Sequence, residues 1–254
     1  MASPGASKKS DVTAEHLAAL NAGKAEARTL TEALVIDHPA LFAAAIPDAP
    51  SDLALAAEAA QGLGILKRMT AIGQALHEHL GADQIHALTQ HPSDTVRGWT
   101  CFAIAADTNH SVPSLLDAVK PLADDHLFTV REWVWMAVRP RMTEELEVSI
   151  RELTPWTGEP SANIRRFASE SLRPRGVWAK HIAEFKTSPQ LGEPLLEPLR
   201  SDPHRYVQDS VANWINDASK DSPEWARAIC DRWNAESPTA ATAYITKRAL
   251  RSLK

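Results

Sequence analysis

Apolar positions along the chain recur every three or four residues, the spacing that lays one buried stripe along a helix. The stretch from Tyr206 to Asp217 shows it plainly: Val207, Val211, Ile215 and Ala218 share one face, which predicts a single unbroken helix. Ser201-Asp202-Pro203 ahead of it reads as an N-cap signal with proline in the first turn, and the next proline is Pro223. Asn213, Asn216 and Asp217 sit inside this helix although such side chains compete with the backbone for hydrogen bonds, so something other than helix propensity selects them. Upstream, helical patterns run from Val12 to Phe42 and from Leu53 to Leu80. They are separated by a Pro/Asp loop over Ile46 to Ser51 and interrupted near Gly62 and Gly64, and a further helix is expected to begin at His86 to Leu88. Residues 1–9 are small and polar and predict a disordered tail, leaving 10–254 as one domain.

From Ser93 a unit recurs. Asp94-Thr95-Val96-Arg97-Gly98-Trp99 aligns with Phe128-Thr129-Val130-Arg131-Glu132-Trp133 and with Ala162-Asn163-Ile164-Arg165-Arg166-Phe167. A fourth copy is Arg205-Tyr206-Val207-Gln208-Asp209-Ser210. The apolar anchors Val96, Val130, Ile164 and Val207 are 34, 34 and 43 residues apart. Val138-Arg139-Pro140 and Leu172-Arg173-Pro174 look like a shared helix terminator at the same offset. Helical units of this length predict an all-α fold, a right-handed α-solenoid of HEAT-like helix pairs with one concave face.

Composition supports that picture: 44% of residues are hydrophobic and 23% charged, with only 10 glycines. Cys101 and Cys230 lie far apart in apolar helical contexts and read as reduced core thiols. No 18-residue apolar run and no signal peptide stand out, so a cytoplasmic protein is expected. The net charge of −5 means that a polyanionic partner would have to be met by a local basic surface. No Gly-rich phosphate loop is present, and His77-Glu78-His79 puts adjacent side chains about 100° apart on a helix, so neither metal nor cofactor is expected.

In register, Glu132 lies two residues past its anchor, Glu170 six and Asp217 ten. Steps of four turn a residue only about 40° further around a helix. The three carboxylates therefore share a sector roughly 200–280° from the buried anchor, facing away from the core. Arg139 and Arg173, nine past their anchors, flank that sector, as does Arg166. Trp99, Trp133 and Phe167, three past theirs, lie between it and the core. The bland reading is a solvated face with local ion pairs, such as Glu170 with Arg166 or Arg173. The distribution argues otherwise: Arg165, Arg166, Arg173, Arg175 and Lys180 run with Glu170 as their one acid, and Lys247, Arg248, Arg251 and Lys254 follow with none. Two basic patches in an acidic chain are the footprint expected of phosphate contacts.

Two stretches carry a resemblance: Arg165-Arg166-Phe167-Ala168-Ser169-Glu170-Ser171-Leu172-Arg173-Pro174-Arg175-Gly176-Val177-Trp178 and Ser210-Val211-Ala212-Asn213-Trp214-Ile215-Asn216-Asp217-Ala218-Ser219-Lys220-Asp221. They resemble AlkC-type DNA glycosylases of the HEAT-like AlkC/AlkD superfamily, with support from Leu66–Gly73, Ser93–Trp99 and Arg248–Arg251. The resemblance runs from about Leu20 to the C-terminus. It implies release of cationic N3-alkylated bases from double-stranded DNA, chiefly 3-methyladenine with 3-methylcytosine second, by a nucleoid-associated monomer. Carried over residue by residue, it implies catalytic acids at Glu132, Glu170 and Asp217 and an aromatic at Trp178. Arg139, Arg166, Arg173, Arg175, Lys247, Arg248 and Arg251 would hold DNA at the rim. The chain departs from the family where Gln208 and Asp209 replace a basic pair and where Trp214 replaces a histidine. No immunoglobulin-like C-terminal module, such as some members carry, is expected.

The chemistry suits these residue types. A base alkylated at N3 of adenine is cationic and leaves neutral, so the barrier lies in the oxocarbenium-like charge on the sugar. Fixed carboxylates stabilise that charge and orient water, provided their geometry is tighter in the transition state than in the ground state. Asp217 is expected to polarise or deprotonate water, Glu170 and Glu132 to stabilise the sugar, and Trp178 to offer a π face. Two other readings stay open: a non-catalytic HEAT scaffold for branched or bent DNA, kept alive by Gln208 and Asp209, and a protein-binding solenoid.

Overall fold

The computed structural model describes residues 5–253 of the chain. Regular structure among them is helical throughout. The first helices are α1 (Ala14–Asn21), α2 (Leu30–Ala33), α3 (His38–Ala45), α4 (Ser51–Ala60), α5 (Ile65–His79), α6 (Ala82–Leu88), α7 (Asp94–Ala106) and α8 (Val112–Ala123). They are followed by α9 (Phe128–Glu144), α10 (Leu146–Leu153), α11 (Ala162–Glu170), α12 (Glu184–Thr187), α13 (Glu193–Leu196), α14 (Arg205–Ala218), α15 (Pro223–Glu236) and α16 (Ala240–Ala249). The chain divides into two compact units, Met1–Val138 and Arg139–Lys254, and the division falls within α9. None of the helices among the described residues is long and apolar enough to cross a membrane.

In the first unit the loose tail expected over 1–9 falls in two parts. Residues 1–4 lie outside the described residues, but from there the chain is tied down. Ala6 N–H donates to the buried Glu32 carboxylate at 2.8 Å, and Thr29 and Thr31 hydroxyls donate to the Ala6 and Ser7 carbonyls. Glu32 also accepts from the Arg28 backbone and guanidinium, each at 2.8 Å. Burial raises its pKa, but these donors prevail and hold it at about 2. α7 is buried from Asp94 to Ala103, and α5 approaches it so closely that a Cβ on Gly73 would meet Phe102 Cβ at 2.3 Å. Asp94 ties this unit together, accepting from Ala27 N–H at 3.0 Å and Thr129 Oγ1 at 2.6 Å.

Three local expectations need correction. His86 to Leu88 end a helix instead of beginning one, because α6 starts at Ala82 with the Gln84 side chain accepting the Gly81 N–H. Pro140 does not terminate α9, which continues to Glu144, whereas α11 stops four residues before Pro174. The N-cap of α14 is His204, since the Asp202 carboxylate turns back to accept from His204 N–H and from Arg165.

The anchors Val96, Val130, Ile164 and Val207 are all buried, and the residue after each does the same task. Arg97 Nη1 donates to the carbonyl six residues back, His91, at 2.8 Å. Arg131 does so to Asp125 at 2.6 Å, and Arg165 to Glu159 at 2.8 Å. Gln208 Nε2 donates to Asp202 O at 2.7 Å in the same register. Each side chain thus satisfies the loop that leads into its own helix. Within each unit the loops are also chained: the Asp125 carboxylate receives Arg97 Nε at 2.7 Å, and the Asp202 carboxylate receives Arg165 Nε at 2.6 Å. Gln208 therefore keeps the loop bond without the charge. Cys101 and Cys230 are free and buried, and burial pushes both thiols up, Cys230 to about 12.

Candidate active site

In the second unit Glu170 closes α11 and Asp217 lies near the end of α14, and Arg173 joins them. Arg173 Nη1 donates to Glu170 Oε1 at 2.8 Å, while its Nε and Nη2 reach Asp217 Oδ2 at 3.0 and 2.8 Å. That uses about three of the five N–H donors of the guanidinium. The acids are only 4% and 5% exposed. They do not lie on the open face that helical spacing implies, because Arg173, which follows α11 in the chain, folds over both carboxylates.

The two acids differ in what they have left to offer. Glu170 has both oxygens engaged: Arg166 stands 3.6 Å from Oε1, and Ser210 Oγ donates to Oε2 at 2.7 Å. Burial pushes its pKa up, but Arg166, Arg173 and the Ser210 hydroxyl outweigh it and hold the carboxyl below its usual range. Arg173, buried between the two acids, is held above the usual arginine value. Asp217 has Oδ2 filled by Arg173, whereas Oδ1 faces the Lys220 ammonium at 3.7 Å. That oxygen retains capacity for one more donor.

Arg139 is not at a rim. It is 3% exposed and donates to the carbonyls of Ser171 at 2.7 Å, Arg173 at 2.6 Å and Lys180 at 3.2 Å. Burial and the neighbouring Arg173 push its pKa down to about 10, so it stays charged at neutral pH. Its place is inside the loop from Ser171 to Lys180, as the frame that shapes it. The same loop carries Trp178, which is 50% exposed and holds φ at 58°, a left-handed backbone that costs energy for a tryptophan. Arg175 pairs with Asp221 at 2.8 Å.

Glu132 belongs to the first unit, half-buried, with Trp135 Nε1 donating to its Oε2 at 2.8 Å. Trp133 and Trp135 are core side chains. Of the expected C-terminal contacts, Lys247 is exposed, Arg248 Nε lies 3.2 Å from Asp209 Oδ1, and Arg251 donates to Asn213 Oδ1 at 2.9 Å. Asp209 also accepts from Tyr244 Oη at 2.5 Å, so this acid sits within the basic patch and competes for it.

Several further residues shape the site without standing out in the helical spacing. Ser169 and Ser210 join α11 to α14 through hydroxyls 2.8 Å apart. The chain's two tyrosines each sit one residue before a buried aliphatic, Val207 and Ile245, and each lies under an arginine. Arg166 is 4.3 Å above Tyr206, and Arg205 is 3.4 Å above Tyr244. That shared offset was the available signal. Trp214 is fully buried, donates to Leu172 O at 3.0 Å and packs edge-on to Phe185. Among the described residues no cluster of three or more His, Cys, Asp or Glu could hold a metal ion.

No protein-family model matches the chain. An uncharacterised protein, YhaZ of Bacillus subtilis (strain 168), is 41% identical over 68 residues, which are 27% of this chain and 18% of that protein. The chain is similar over 99% of its length to the Pseudomonas fluorescens alkylpurine DNA glycosylase AlkC, solved bound to DNA containing an abasic site analog, with a TM-score of 0.70 and 25% identity. It spans 65% of that AlkC chain. AlkD2 from Streptococcus mutans shares the fold at a TM-score of 0.63 and 18% identity, over 79% of this chain and 97% of its own.

Proposed function

The chain belongs, by its all-helical HEAT-type fold, to the AlkC/AlkD superfamily, and on that premise we propose that it is a monofunctional DNA glycosylase for cationic N3-alkylated bases. The observation that carries this reading is the joining of Glu170 and Asp217 by one arginine, beside a loop that exposes Trp178. Double-stranded DNA is the proposed partner, since the similar AlkC was solved on DNA.

The proposed step breaks the glycosidic bond at C1′. The base departs with the bonding pair, which cancels its positive charge, and water adds to the sugar cation. Asp217 Oδ1, the oxygen without a hydrogen bond, takes the proton of that water and later returns it to solvent. Glu170, ionised and fixed on both oxygens, supplies negative charge that needs no reorganisation as the sugar becomes cationic. Arg173 pairs with both acids and fixes their orientation, and Trp178 offers its exposed face to lesion or sugar. Glu132 is proposed as a third acid on sequence register and the family resemblance, and Glu132→Gln tests it. Arg166, Arg175, Lys247, Arg248 and Arg251 are the proposed phosphate contacts. Arg173 would have to share its donors to serve as one.

One observation favours a second reading, a non-catalytic protein for branched or bent DNA: the two acids are already paired with Arg173. Incubation with methylated genomic DNA, followed by chromatography of the released bases, separates the two. Release of 3-methyladenine by the wild type and its loss in Asp217→Asn, with binding retained, supports the glycosylase. Tight binding to bent DNA with no base released supports the alternative, and normal release by Asp217→Asn would end the role given to Asp217.

A further inference from the structure

We propose that Ser210 is a positioning residue for Glu170, its hydroxyl holding the carboxylate in the one orientation that leaves Oε1 on Arg173. The catalytic consequence rests on the glycosylase reading, while the positioning itself does not.

The sequence register makes Ser210 conspicuous. Three residues past the anchor, the earlier units carry buried aromatics, Trp99, Trp133 and Phe167, and the fourth carries serine. An aromatic at 210 would fill the space into which Glu170 turns. Serine leaves that space and adds a donor. Glu170 Oε1 is served by Arg173 at 2.8 Å and faces Arg166 at 3.6 Å, whereas Oε2 has Ser210 Oγ at 2.7 Å. Ser210 is 1% exposed, so water has no ready route to replace it.

Behind Ser210 stands Ser169 Oγ at 2.8 Å, which also reaches the Arg166 carbonyl at 3.1 Å. With Glu170 ionised, the Ser210 proton points at Oε2, and Ser169 is free to donate to Ser210. With Glu170 protonated, the order reverses: Glu170 donates to Ser210, Ser210 to Ser169, and Ser169 to the Arg166 carbonyl. The chain ends on a backbone oxygen, so it carries no proton to solvent. It fixes a charge in place and does not serve as a shuttle. The other charges that bear on Glu170 are Arg166 on its own helix, Arg173 on the following loop with Asp217 of α14 on its far side, and Arg139 of α9.

The test follows the Glu170 carboxyl by carbon-13 NMR through a pH titration, together with single-turnover release of 3-methyladenine from about pH 5 to about pH 8. Ser210→Ala should raise the Glu170 titration by about one pH unit, the worth of a hydrogen bond to a buried charge. The acid-side fall of release by that variant should move to higher pH by the same amount. Ser169→Ala, one link further back, should move the titration by less than half as much. Ser210→Thr keeps the hydroxyl and should restore the wild-type titration, which separates the donor from packing. An unmoved titration in Ser210→Ala, equal shifts in the two alanine variants, or no rescue by threonine would overturn the proposal. If the wild type releases no base, the glycosylase reading fails while the titration still decides the role of Ser210.

Discussion

Replacing Arg139 by methionine separates two accounts of that residue. In the structure its guanidinium serves three carbonyls of the loop from Ser171 to Lys180, at 2.7, 2.6 and 3.2 Å. Methionine fills most of the volume and leaves those oxygens without their donor. At about 1–1.5 kcal/mol for each bond, the loss comes to about 3–5 kcal/mol. For a chain of this size that lowers the melting temperature by roughly 10 °C. The assay is thermal unfolding by circular dichroism, paired with DNA binding across a salt series. A phosphate contact would behave oppositely, with stability intact and the slope of log K against log salt falling by about one. If Arg139→Met melts with the wild type and shows that reduced slope, the framing role is refuted and the rim position holds.

Four further outcomes follow from the contacts described. Glu32→Gln should destabilise the protein at neutral pH and converge on the wild type in acid. The depressed pKa makes its contribution full above the ordinary value of 4.5 and lost as pH falls through about 2, which melts at pH 7 and pH 3 would read. Gly192→Ala should cost about 1–3 kcal/mol, because the new Cβ would lie 2.3 Å from Trp214 Cζ2; denaturation by urea with tryptophan fluorescence checks it. Gln208→Leu should cost about 1–2 kcal/mol through the orphaned Asp202 carbonyl, and Gln208→Arg should be tolerated, both measured by urea denaturation. Asp209→Asn should release Arg248 and steepen the salt dependence of DNA binding by about one, and an unchanged slope would show that Arg248 makes no phosphate contact.

Much of the fold is legible in the sequence because burial along a helix is periodic. Val96, Val130, Ile164 and Val207 could be found as anchors without knowing what covers them, and all are buried. The helix from Tyr206 to Asp217 runs one residue further at each end than its pattern. What periodicity cannot supply is the partner from outside the helix. Glu170 and Asp217 lie in a polar interior because Arg173 folds back over them, and no rule of spacing on α11 or α14 contains that loop. Arg139 and Arg173 share an offset of nine from their anchors and do unlike things, since one meets backbone carbonyls and the other carboxylates. By its place in the repeat, Gln208 reads as a lost cation at a DNA contact. The bond it makes is directed to its own loop, where an uncharged amide serves as well as a guanidinium.

The bond from each post-anchor side chain to the carbonyl six residues behind it has a bearing on how such a chain tolerates change in length. The turn into each of the four repeat helices, α7, α9, α11 and α14, is closed by a donor carried on that helix. Nine extra residues separate Ile164 from Val207 compared with the earlier intervals, yet the entry to α14 is shaped like the entries to α7 and α11. Growth is thereby confined to the stretch between one helix end and the next turn, and in this chain that stretch holds the loop bearing Arg173 and Trp178. A lineage could lengthen or rewrite it without disturbing the helices on either side.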